Sequence, residues 1–211
     1  MQKKITIISI ILTTCILILV ILKIFIFRDY NLDKNGNNSI IQLSKNNILS
    51  MESYEAEVTV QIENNKNANT YVLKQKFIAP NLYKQEVVEP TSIANLTISY
   101  DGKDLKIQNT QLNLNEIYEN YMYIGGNYLM LNRFVEEYKN SKESKCYEND
   151  TDDVYETKLI SANQYAMNKK LYVDKETNNP RKLEIQDINQ KTMVYILYNK
   201  VEINSLERMD L

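Results

Sequence analysis

The stretch YEAEVTVQI at residues 54–62 decides the fold. Tyr54, Ala56, Val58, Val60 and Ile62 alternate with Glu55, Glu57, Thr59 and Gln61, the period of two that belongs to a strand with one buried face and one wet face. The segment ENNKNAN at 63–69 reads as the following turn, and Tyr71, Leu73 and Phe77 as a second strand that stops before Pro80. Further strands are expected at 83–88, 96–100 and 105–109, the last two joined at Asp101-Gly102, a strong hairpin signal. This is an antiparallel meander. Toward the C-terminus Tyr155, Thr157 and Leu159 alternate with polar neighbours. Strands at 170–173 and 182–185 flank the turn DKETNNP, and strands at 193–198 and 201–203 close the chain.

Between the two strand-rich parts the period changes. Leu114, Ile117, Tyr118 and Tyr121 are spaced i, i+3, i+4 and i+7, as are Leu131, Phe134, Val135 and Tyr138 beyond Gly125-Gly126, so two helices are expected, the second capped by Asn127. A short helix behind Ser39 is expected over 40–51, with Ile41, Ile48 and Leu49 facing inward. The fold class is therefore α+β: one curved antiparallel sheet of roughly eight to eleven strands with helices on one side, preceded by one transmembrane helix.

That helix is the run ITIISIILTTCILILVILKIFIF at 5–27, with a single charge in 23 residues. At ~1.5 Å per residue it reaches about 34 Å, enough for a hydrocarbon core of ~30 Å. Lys23 sits one turn from its end and can snorkel to the headgroups. No small-residue cleavage site follows, so the segment reads as an uncleaved anchor. Leu12-Thr13-Thr14-Cys15 is a distorted lipobox. A lipoprotein signal carries Gly, Ala or Ser before its Cys and a polar linker after it, whereas Thr14 precedes Cys15 and apolar residues follow. Lipidation of Cys15 is thus the second reading, behind a small apolar membrane residue. The organisation expected is a cytoplasmic head at 1–4, the anchor at 5–27, a linker at 28–39 and an extracytoplasmic domain at 40–211, held at the cell membrane. Asp33, Asn35 and Asn37 imitate a calcium loop within the linker. The register fails, because Asn38 and Ser44 stand where the loop needs Gly and Glu.

Charge and composition exclude several functions. The chain has 25 Lys and Arg against 27 Asp and Glu; Lys3, Lys4, Lys23 and Arg28 account for four of the positive charges, leaving 21 against 27, a net −6, for residues 29–211. An acidic domain offers no basic stripe to nucleic acid. The absence of His removes Ser-His and Cys-His dyads and His-ligated metals. Cys146, in the polar stretch 141–153, has no partner for a disulfide within the domain. Asp150, Asp152 and Asp153 are the best candidates for an acid, a base or a cation site, but their run of polar neighbours reads as a solvated loop, and Glu136 and Glu137 as helix surface. The Tyr residues at helical spacing read as packing on the sheet rather than as a ligand surface. No catalytic, cofactor-binding or metal-ligating residue is assigned, and no enzyme is expected.

Two stretches carry a resemblance. KFIAPNLYKQEVVEP followed by ISYDGKDLKIQNTQLN, and the closing LYVDKETNNPRKLEIQDINQKTMVYILYNKVEIN, resemble the bacterial lipoprotein-carrier fold of LolA and LolB, a half-open barrel, over about residues 40–204. Within that superfamily the chain looks most like the GerS group of clostridial spore germination proteins. The resemblance implies a membrane-attached, non-enzymatic extracytoplasmic protein that acts in spore cortex modification and germination by binding and activating a cell-wall amidase. The alternative it implies is a membrane-tethered lipid or lipoprotein carrier with acyl chains inside the sheet. No partner-contact residue follows from the motifs.

Overall fold

The computed structural model describes residues 48–63, 68–121 and 128–206. The expected anchor, the linker, Cys15, Asn127 and the first part of the helix expected over 40–51 lie outside the described residues. Among the described residues no helix is long and apolar enough to cross a membrane.

Strand β1 (Ser53–Glu63) begins the decisive alternation, and its Tyr54, Ala56, Val58 and Val60 are buried as the pattern requires. It is followed by β2 (Ala68–Ile78), β3 (Leu82–Glu89), β4 (Thr97–Tyr100), β5 (Leu105–Asn109) and β6 (Leu114–Tyr118). The helix α1 (Leu131–Asn140) comes next, and then β7 (Lys145–Glu148), β8 (Asp152–Asn163), β9 (Ala166–Asp174), β10 (Pro180–Gln186) and β11 (Thr192–Ile203). All eleven strands form one antiparallel sheet in the order β6-β5-β4-β3-β2-β1-β11-β10-β9-β8-β7. Each half is a meander of short connections, and the halves meet where β1 pairs with β11. Asn204, in the left-handed region, closes that junction: its Oδ1 accepts from the N–H of Glu52 at 2.7 Å and of Ser53 at 3.2 Å.

The two short strands expected at the C-terminal end are one strand. Val58 faces Tyr198 and Glu57 faces Lys200, so Asn199 is an extra residue in a bulge, and its Nδ2 donates to Thr59 Oγ1 at 2.9 Å. Before the bulge the inner face of β11 meets β1 and β10 in register, with Ile196 opposite Val60 and Leu183.

The helix expected over 114–121 is a strand. The spacing that suggested it also places Leu114 and Tyr118 on one face of β6, and the turn before it settles the choice. Asn113 takes φ +50°, the Asn109 side chain accepts from the Leu112 N–H at 3.0 Å, and β6 then pairs along its length with β5. One isolated pair of helical turns has no comparable partner, since helix nucleation is costly and propagation short. The described part of the expected 40–51 helix is a single turn at 48–50, yet Ile48 and Leu49 are buried as expected.

Helix α1 buries Leu131, Phe134 and Val135 against the inner face of the sheet, as its spacing requires. Tyr138 stacks on Phe134 and meets the edge of the Tyr155 ring. Its N-cap is Met130 rather than Asn127, and Met130 makes no side-chain cap hydrogen bond. The first helical N–H, that of Leu131, instead donates to the hydroxyl of Tyr54 at 3.1 Å, across 77 residues of chain. That hydroxyl lies 3.2 Å from Gln75 Oε1, whose amide Nε2 reaches Gln85 Oε1 and the carbonyl of Leu129. A buried polar chain running across β1, β2 and β3 therefore holds the start of the helix down. Tyr54→Phe removes the acceptor and leaves the Leu131 N–H buried, so a loss of about 1–3 kcal/mol in urea-unfolding stability is expected.

Candidate functional site

The inner face is filled. Tyr54, Met130, Leu131, Phe134, Leu171, Leu183 and Ile196 are all fully buried between the helix and the sheet. In their midst lies a charged cluster. Arg133 and Glu137 are one helical turn apart on the buried side of α1, and Lys169 projects from β9 between Thr157 of β8 and Ile185 of β10. The Lys169 ammonium meets Glu137 Oε2 at 2.8 Å with both side chains at 0% exposure, and Arg133 Nε faces Glu137 Oε1 at 3.3 Å. Arg133 also reaches the rim, donating to Glu136 Oε2 at 2.7 Å. The ring of Tyr128 lies 5.5 Å from the Lys169 ammonium. Burial pushes the Lys169 pKa down while Glu137 pulls it back up. Lys169 is thus the buried counter-ion of Glu137.

Glu137 is thus a correction to the reading of Glu136 and Glu137 as helix surface: Glu136 is at the surface and Glu137 is buried. The i, i+4 pairing with Arg133 was visible in the sequence, but Lys169 lies on another strand and nothing local marks it as a partner. Asp152 is a second correction. It opens β8, is buried, and is held by Arg181 at 2.6 Å and by the Thr151 hydroxyl at 2.9 Å, while Asp150 stays in the exposed turn. Asp153 has its pKa raised, by burial first and by neighbouring Glu148 second. Cys146 lies in strand β7 opposite Tyr155, not in a loop, and burial pushes its thiol up to about 11, the reverse of an activated nucleophile. Among the described residues no group of three or more acidic or Cys side chains is placed to hold a metal ion.

The tyrosines divide as packing requires. Tyr83 and Tyr100 are buried and stacked at 5.8 Å, whereas Tyr118 and Tyr121 continue the row to the exposed edge of the sheet.

The other face of β3–β6 holds a cleft of about 960 Å³. Tyr83 and Tyr100 bury their rings on the inner face, so most of the lining comes from the alternate residues, and Leu82 and Leu114 add apolar surface. Lys84, Ser99 and Lys106 stand side by side on β3, β4 and β5, and Thr97, Gln108 and Asn115 form the next row on β4, β5 and β6. Gln108 Nε2 donates to Asn115 Oδ1 at 3.0 Å. One end is closed by the hairpin at Asp101-Gly102. Gly102 has φ +94°, which an L side chain rarely adopts, and Asp101 accepts from the N–H groups of Lys103 and Asp104 and from Lys106 at 3.1 Å. The Asp104 N–H first, then Lys106, hold the Asp101 carboxyl down at about 2.

A family of sporulation proteins described as YdcC-like matches residues 4–208, almost the whole chain. The chain belongs to this family. No curated protein matches it. Solved structures resemble this YdcC-like chain over most of its length. An uncharacterized conserved protein from Thermus thermophilus aligns at TM-score 0.52 and 9% identity, covering 81% of this chain and 90% of the other, which shows a shared fold. The complex of the CwlD amidase with the GerS lipoprotein from Clostridioides difficile gives TM-score 0.45, 23% identity, and 83% and 94% coverage. A LolA superfamily protein from Nitrosomonas europaea gives TM-score 0.41, 14% identity, and 78% and 93% coverage.

Two outcomes test the site chemistry. Glu137→Gln leaves two buried cations without their anion and is expected to cost about 3–5 kcal/mol by chemical denaturation, whereas replacing the whole cluster, Arg133→Met with Glu137→Leu and Lys169→Met, is expected to be close to neutral. The depressed pKa of Asp101 contributes stability above its ordinary value of 3.8, and that contribution fades as pH falls toward about 2. The denaturation midpoints of the wild type and Asp101→Asn are therefore expected to differ at neutral pH and to converge through that window.

Proposed function

We propose that this chain is a membrane-anchored extracytoplasmic protein that works by binding, and that its partner is a cell-wall amidase of spore cortex modification and germination, which it activates. The chain's membership of a sporulation family supports the cellular setting. The apolar run at 5–27 supports a single-pass anchor in the cell membrane or the forespore membrane, with the domain on the extracytoplasmic side. The partner class comes from the resemblance, within the LolA and LolB superfamily, of the chain's composition and N-terminal membrane segment to the GerS group.

The observation that carries the reading is the filled inner face. A carrier of acyl chains needs an apolar hollow, and here that space holds Phe134 and Leu131 beside a buried Arg133-Glu137-Lys169 cluster. Opening it for a lipid would expose or strand three charges, which weighs against the carrier alternative. Binding is left to the outer surfaces, a task that needs no activated side chain.

Full-length tagged protein in detergent, mixed with a recombinant spore amidase of the same cell, is expected to hold the amidase through gel filtration and to raise its rate of stem-peptide release. Separate elution with an unchanged rate would overturn the reading. Native mass spectrometry of the same sample is expected to show no bound acyl chain; a stoichiometric lipid would restore the carrier alternative.

A further inference from the structure

We propose that the cleft on the outer face of β3–β6 binds an acidic amino-sugar glycan. The chemistry of its two rows carries the inference. Lys84 and Lys106 flank Ser99 in register, one strand away on either side, which sets their backbones about 10 Å apart at the ~4.8 Å strand spacing. Among the described residues Lys84 has no ion pair, and Ser99 has no side-chain hydrogen bond; Lys106 is shared with Asp101. Beside them run Thr97, Gln108 and Asn115, a hydroxyl and two amides that both donate and accept. Ammonium groups and a hydroxyl suit a carboxylate. The amide row suits sugar hydroxyls and an acetamido group.

Other ligands fit less well. An extended peptide gains affinity by pairing its backbone with a free sheet edge; β6 is such an edge, but the row of Lys84, Ser99 and Lys106 lies on the faces of β3, β4 and β5, each already paired on both sides. A lipid chain would have to lie against the charged Lys84, Asp101 and Lys106, and nucleic acid would want a row of cations and exposed stacking rings in a domain that is instead acidic. The volume, near the top of the ~300–1,000 Å³ range of small-ligand sites, leaves room for more than one sugar ring. Among the described residues Asp101 is the one carboxylate lining the cleft, and glycoside hydrolysis works with a facing pair, so the site is built to hold a glycan and not to cut it.

The choice of a cell-wall sugar as the probe rests on the extracytoplasmic reading given above. The full-length protein in detergent micelles is titrated calorimetrically with the disaccharide of N-acetylglucosamine and N-acetylmuramic acid, with the same disaccharide carrying a carboxamide in place of the carboxylate, and with a short polyglutamate peptide. The acidic disaccharide is expected to bind, the carboxamide about tenfold more weakly, and Lys84→Gln to remove most of that preference, since a charge-assisted hydrogen bond is worth about that much. Ser99→Ala is expected to weaken both sugars. Absence of heat at millimolar sugar, equal affinity for the acid and the carboxamide, an unchanged Lys84→Gln, or tighter binding of the peptide would each overturn the proposal. If Lys84→Gln does not fold, the wild type's discrimination between acid and carboxamide still decides. No amidase is present in the titration, so a negative result removes the glycan site and leaves the partner reading to its own test.

Discussion

Strand β1 must be covered along both edges and over one face, and most of the architecture follows from how that is done. Its backbone is paired by β2 on one side and by β11 on the other, and its inner side chains lie under α1. The β2 pairing is local and entropically cheap. The β11 pairing joins residues about 140 apart in the chain, so the loop-closure cost has to be met by the many contacts formed together at the seam. Once the seam is in place, the two meanders become one sheet and the single α-helix of the described residues has a surface to cover. The Tyr54 hydroxyl, which takes the first N–H of that helix, ties the seam and the cover into one unit.

The cover is not a plain hydrophobic lid. A cluster of Arg133, Glu137 and Lys169 sits where leucines would pack at no desolvation cost, and buried ion pairs of this kind add little net stability. What they do is penalise every other seating of the helix, because a shift of one turn would leave a cation facing hydrocarbon. The space between helix and sheet is thereby filled. On the outer face of β3–β6 the same strand alternation that buries Tyr83 and Tyr100 presents Lys84, Ser99 and Lys106 in a line. Core and cleft are two sides of one periodicity.

Much of this fold was legible in the residues. The alternation of Tyr54 through Ile62, the Asp101-Gly102 hairpin and the apolar stripe of Leu131, Phe134 and Val135 each express a local rule, and each appears in the structure as expected. The segment from Leu114 to Tyr121 misled because a short apolar pattern fits both periods, and the deciding interaction was its pairing with β5. Asp152 and Cys146 looked like loop residues because their neighbours are polar. They lie in strands because β8 and β9 recruit them.

By itself the sequence determined the class of the fold, the membrane-length apolar run at 5–27, the acidic balance of residues 29–211 and the lack of imidazole chemistry. These are properties of composition and of spacing within one element, which no later contact alters. Tertiary structure alone decided that Glu137 is buried, that its counter-ion is Lys169, that Asn199 is a bulge and that two lysines from separate strands share a cleft. The physical reason is common to all four. Each depends on register between elements distant in sequence, and register is set by the sum of many cross-strand contacts, of which no single residue carries a readable sign.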